Sequence, residues 1–107
     1  VDVLRVAQTK ADVFDQLSSS DPLHARLKMF VDTAKKADAK VDTYTAVGYS
    51  AVLIFEDAIR KVGPNPRKIF ELWNGGYTPP NVIARMRWSD QVHQGFNPAD
   101  VVITIAR

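Results

Sequence analysis

Two histidines, a run of three serines, a Glu-Asp pair and a Gly-Gly pair are the places in this sequence where chemistry could start. Metal binding needs ligands spaced to converge. His24 and His93 are separated by most of the chain, and neither has a second ligand-like residue at i+3 or i+4. Ser18-Ser19-Ser20 lacks the Gly-x-Ser-x-Gly setting of a nucleophile elbow. Glu56-Asp57 lies in an otherwise apolar helical segment, which suits ion pairing better than proton transfer. Gly75-Gly76 follows a helical segment, where a dinucleotide loop follows a strand, and no further glycine stands at that loop's spacing. It reads as a helix end. Without cysteine there is no disulfide, thiolate metal site or cysteine nucleophile. No nucleophile or base with an orienting partner is legible, so the expectation is a non-enzymatic protein with neither cofactor nor metal.

Charge narrows the partners. The 14 basic and 12 acidic residues are scattered, and the net charge of +2 forms no stripe that could track phosphates, so a nucleic-acid partner is not expected. Lys35-Lys36 and Arg60-Lys61 each fall near the C-terminus of a predicted helix, where cations favour the macrodipole. No stretch approaches the roughly 18 apolar residues that span a bilayer. The first residues, Val1-Asp2-Val3, have neither the basic nor the apolar region of a signal peptide, so the expectation is a soluble chain whose signal peptide is absent or removed. At 107 residues, 46% hydrophobic and 24% charged, the chain should bury one modest core.

The elements that would position any site follow from periodicity. Val1 to Ala7 reads as a strand and Ala11 to Ser20 as a loop. Asp21-Pro22 reads as a helix start, with Leu23, Leu27, Phe30, Val31 and Ala34 forming one apolar face as far as about Ala37. Residues 38–43 form a polar linker. A long helix then places Tyr44, Val47, Ala51, Phe55, Ala58 and Val62 in one phase, although Val52-Leu53-Ile54-Phe55 makes its middle apolar on every side. Gly63-Pro64 ends it, and Asn65-Pro66 opens a short third helix through Trp73. Val82 to Trp88 alternates with period two and predicts a strand; Val101 to Ala106 predicts another. The inventory is a strand, three helices and two strands, an α/β chain. The first strand has no obvious neighbour and the long helix has too little to cover it. A patch around Leu53, Ile54 and Phe55 should stay exposed unless another copy or further sequence covers it.

Three stretches together resemble the C-terminal region of the leucine/isoleucine/valine-binding-protein-like family of type I periplasmic solute-binding proteins. They are Tyr44-Thr45-Ala46-Val47-Gly48-Tyr49-Ser50-Ala51 leading to Glu56–Gly63, the pair in Tyr77-Thr78-Pro79-Pro80, and Trp88–Gly95 with its His-x-Gly turn. The resemblance covers roughly Phe14 to Arg107. It implies part of a two-lobed α/β protein with Rossmann-like lobes joined by crossovers and the ligand between them. On that basis residues 1–37 belong to the second lobe, 38–43 form a hinge crossover, 44–81 belong to the helical part of the first lobe, and 82–107 return toward the second lobe.

The implied activity is capture of an amino acid or small organic acid, aromatic ones included, for delivery to an ABC permease from a periplasmic or extracellular, lipid-anchored or free, parent protein. Tyr44, beside the crossover, takes the place of a side chain over the ligand, while its phase with Val47 and Ala51 equally suits core packing. Phe14 and Gln16, with Asp15, border the cleft in the loop after the first strand. A ligand-sensing regulatory domain of the same fold and an unrelated small α/β interaction domain are the alternatives.

Overall fold

The computed structural model describes residues 4–106. In chain order these form strand β1 (Leu4–Thr9), a 3₁₀ helix (Lys10–Gln16), helices α1 (His24–Lys36), α2 (Thr43–Val62) and α3 (Pro66–Asn74), a short 3₁₀ turn (Pro98–Asp100) and strand β2 (Val101–Ala106). The result is a small mixed α/β domain. Its strands, from opposite ends of the chain, pair antiparallel from Leu4 opposite Ala106 to Thr9 opposite Val101. The first strand therefore does have a neighbour, which adjacency in sequence hid; Val1 and Val3 of its predicted span lie outside the described residues. A two-stranded ribbon buries little by itself. Leu4, Ile103 and Ile105 remain exposed on it.

The core lies under α1. Leu23, Leu27, Phe30, Val31 and Ala34, the face expected from helical spacing, are all buried, and they meet Ala11, Ala46 and Val82. The predicted loop from Ala11 to Ser20 instead forms 3₁₀ turns as far as Gln16, broken at Val13, whose backbone is not helical, and Ala11 enters this core at 2% exposure.

Two further expectations fail for identifiable reasons. Residues 82–88 form no regular strand, although Val82 and Ala84 do face inward as the alternation predicts. Their amides are taken elsewhere: Asn81 Oδ1 accepts from Ile83 N–H at 3.0 Å and Ala84 N–H at 2.9 Å, and Asp100 accepts from Arg85 N–H. Side chains that bind neighbouring amides compete with a ladder for them. Only isolated bridges survive, joining Tyr77 to Trp88 and Met86 to Phe96. The second pairing needs glycine at position 95, where φ is +46° and a Cβ would lie 2.0 Å from the Arg87 carbonyl oxygen.

The buried stripe of α2 departs from the expected face except at Ala58. Ala46, Ser50 and Ala58 face inward, while Tyr44, Val47, Val52, Phe55 and Ile59 are exposed and Leu53 and Ile54 half-buried. The radius of gyration, 15.5 Å, exceeds the roughly 13 Å expected of a compact chain of this length, and the molecule measures 52 × 34 × 24 Å. Elongation and an uncovered helix face describe the same shortage of core. Among the described residues, no helix is long and apolar enough to cross a membrane.

Candidate functional site

The head of α2 is fixed from both sides. Asp42 caps the helix by accepting from Thr45 N–H at 2.9 Å, and Thr45 Oγ1 returns the bond by accepting from Asp42 N–H at 3.0 Å, the reciprocal capping box. The Thr45 amide is the main reason that the Asp42 carboxyl stays below its ordinary value. Thr43, one residue on, donates its N–H to Asp12 Oδ1 at 3.0 Å and its hydroxyl to Asp12 Oδ2. Its hydroxyl also lies 2.8 Å from that of Thr9 at the end of β1. These bonds tie the start of α2 to β1 and the 3₁₀ helix.

Tyr44 is the next residue, and with Thr43 held in this way its ring projects outward at 86% exposure. It stands at a groove of about 720 Å³. It is lined by β1 from Val6 to Thr9 with Asp12, by Lys40 and Asp42 to Tyr44, and by the apolar side chains of Ile83, Met86 and Phe96. Hydroxyls, carboxylates and the Lys40 ammonium together with apolar side chains suit a small molecule with a polar head and an apolar body.

A buried ionic clasp supports the groove. Asp100, 1% exposed, accepts from Arg85 Nε and Nη2 at 3.0 Å each and from Lys10 Nζ at 3.3 Å. Lys10, 6% exposed, also donates to Asp21 at 2.8 Å. Burial pushes the Asp100 carboxyl upward, but the bonds from the Arg85 side chain and backbone and from Lys10 outweigh it and leave the group below its ordinary value. The balance at Asp21 is similar, with burial opposed by Lys10 and the Leu23 amide and a net lowering. For Lys10, burial acts downward and the two carboxylates prevail, so its ammonium is held above its ordinary value. The clasp joins the segment after β1, the approach to α1, residue 85 and the approach to β2.

The three residues singled out from sequence do not come together. Tyr44 lines the groove. Phe14 is half-buried, its ring 5.1 Å from that of His24 against α1, and Gln16 is exposed at the end of the 3₁₀ helix; neither lines the groove. The residue of that segment that does reach it is Asp12. Its signal was faint, a single carboxylate in an acidic stretch, and its partner Thr43 is 31 positions away. Tyr49 packs on Phe30, their ring centroids 5.1 Å apart. Among the described residues, no group of three or more metal-ligating side chains converges. Comparison with protein families, with curated proteins and with solved structures found no match for this chain.

Proposed function

We propose that this chain is the C-terminal portion of a two-lobed solute-binding protein that captures an amino acid or small organic acid outside the cytoplasm and delivers it to an ABC permease. The observation that carries the reading is Tyr44: a large aromatic side chain held outward at the rim of a groove, directly after the polar segment 38–43. In this reading the segment is a hinge crossover and its motion closes the lobes. Tyr44 then covers the ligand's apolar part, while Thr9, Thr43 and Asp12 face its polar head. The Rossmann-like sheet of the first lobe, supplied by the rest of the parent protein, covers the apolar face of α2.

Small-angle scattering of the parent protein tests this. Leucine, valine and benzoate would be added one at a time, and at least one should lower the radius of gyration as the lobes close. No change with any of them would count against closure on this ligand class. A second reading has one observation in its favour. Because α1, α2 and Val82 share a single core, a self-contained α/β interaction domain is the alternative, and it predicts no ligand-dependent contraction.

A further inference from the structure

The β1–β2 ribbon has a bare edge. It is a sheet of two strands, so each strand pairs along one side and leaves backbone N–H and C=O groups along the other. From Val102 onward, no described residue outside the ribbon bonds to the backbone of β2. Such a row of alternating donors and acceptors is matched by the backbone of another extended strand, so the edge itself sets the class of partner. The ribbon also needs one, because two strands alone are marginally stable in water.

Of the two edges, that of β2 is the open one. β1 carries Arg5, its residues Val6 to Thr9 line the Tyr44 groove, and Thr9 is hydrogen-bonded to Thr43 at the head of α2. β2 reads Val-Val-Ile-Thr-Ile-Ala and contains none of the charges, prolines or glycines that deter pairing at an edge. Its one polar side chain, Thr104, bonds to Gln8 Oε1 within the ribbon and asks for nothing further. Val101, Ile103 and Ile105 share one face and are 40%, 63% and 50% exposed.

The sequence of β2 is complementary to itself. Antiparallel pairing about a two-fold axis at Ile103 sets Ile103 opposite Ile103 of the other copy, Val101 opposite Ile105, and Val102 opposite Thr104. Each exposed apolar residue then gains a β-branched cross-strand neighbour, and no like charges meet. This arrangement also closes on itself, because the one bare edge of β2 is used up in each copy. Pairing of β2 with β1 of the next copy would instead run on as an open filament.

We infer that β2 pairs edge to edge with β2 of a second copy of this chain, forming a four-stranded antiparallel sheet with its axis at Ile103. The inference does not rest on solute capture, and of β2 only Val101 lines the Tyr44 groove. Sedimentation of the full chain tests it, and a monomer–dimer equilibrium should appear between micromolar and millimolar concentration. Ile103 is 63% exposed, so Ile103→Lys should fold normally and weaken the dimer about a hundredfold, since two isoleucine contacts are lost and two like charges face each other. Ile103→Glu should do the same, and an equimolar mixture of the two variants should restore a dimer with one chain of each, read by native mass spectrometry. Val52→Lys, on the exposed face of α2, should leave the dimer intact. A chain that stays monomeric at millimolar concentration, an open-ended polymer, a dimer that survives Ile103→Lys, a Lys and Glu mixture that stays monomeric, or a dimer lost with Val52→Lys would each overturn the inference.

Discussion

Helices α1 and α2 hold their places by different means. α1 has no side-chain cap at its assigned start, and it buries Leu27, Phe30, Val31 and Ala34, none more than 6% exposed. α2 has a complete capping box, a glycine end, and two i,i+4 ion pairs, Glu56–Arg60 and Asp57–Lys61. Yet it buries mainly small residues and leaves Val52 and Phe55 more than half exposed. Tertiary burial anchors α1, whereas α2 is specified largely by its own sequence. A helix that needs little of the local core has large side chains to spare for a second surface, which is what a covering lobe would use.

The largest expected effect is on the side of the comparison that depends on burial. Asp100→Ala leaves Lys10 without one of its two carboxylates and Arg85 without its partner, and should cost about 3–5 kcal/mol in urea unfolding, as for other broken buried pairs. Acid should weaken the same clasp. The folded Asp100 and Asp21 carboxyls titrate below the ordinary value of 3.8, so their contribution is full above about pH 5 and is lost as pH falls through 3.8 toward the lower folded values. Lys10, raised above 10.5, contributes fully below that pH and loses its contribution as pH climbs through the folded value. In Asp100→Ala the loss of stability on the acid side should be smaller than in the unsubstituted chain.

The next test sets one helix against the other directly. Leu27→Ala in α1 should cost about 2–5 kcal/mol, whereas Phe55→Ala in α2, half-exposed, should cost under about 1 kcal/mol in this chain by itself. In the parent protein, with the α2 face covered, Phe55→Ala should rise to about 3–5 kcal/mol. Equal costs for Phe55→Ala in the two settings would break the comparison.

How much of this was legible in sequence depends on how many partners compete for each residue. The face of α1 was readable because, Ala25 and Met29 apart, the residues around it are polar, so one side stood out for burial. The face of α2 was not, since Val52 to Phe55 are apolar all round and only the neighbours select Ala46, Ser50 and Ala58. Alternation at residues 82–88 identified the inward side chains but not the backbone, because Asn81 and Asp100 capture amides that a ladder would have used. The site was partly legible: Tyr44 reaches the groove, while Asp12 and the clasp depend on pairings as distant as Lys10 with Asp100, which no local pattern announces. Phe14 and Gln16 belonged to a predicted loop that folds as a 3₁₀ helix and turns them away from the groove.

The proposal that Tyr44 covers a captured ligand is tested most directly by calorimetric titration of Tyr44→Ala in the parent protein, with whichever of leucine, valine or benzoate the unsubstituted protein binds. Binding should weaken by roughly 1–3 kcal/mol, the value of an aromatic side chain's apolar contact. The melting temperature should barely move, because the ring is 86% exposed and supports no core in this structure. Unchanged affinity together with a collapsed melting temperature would contradict the account and make Tyr44 a packing residue.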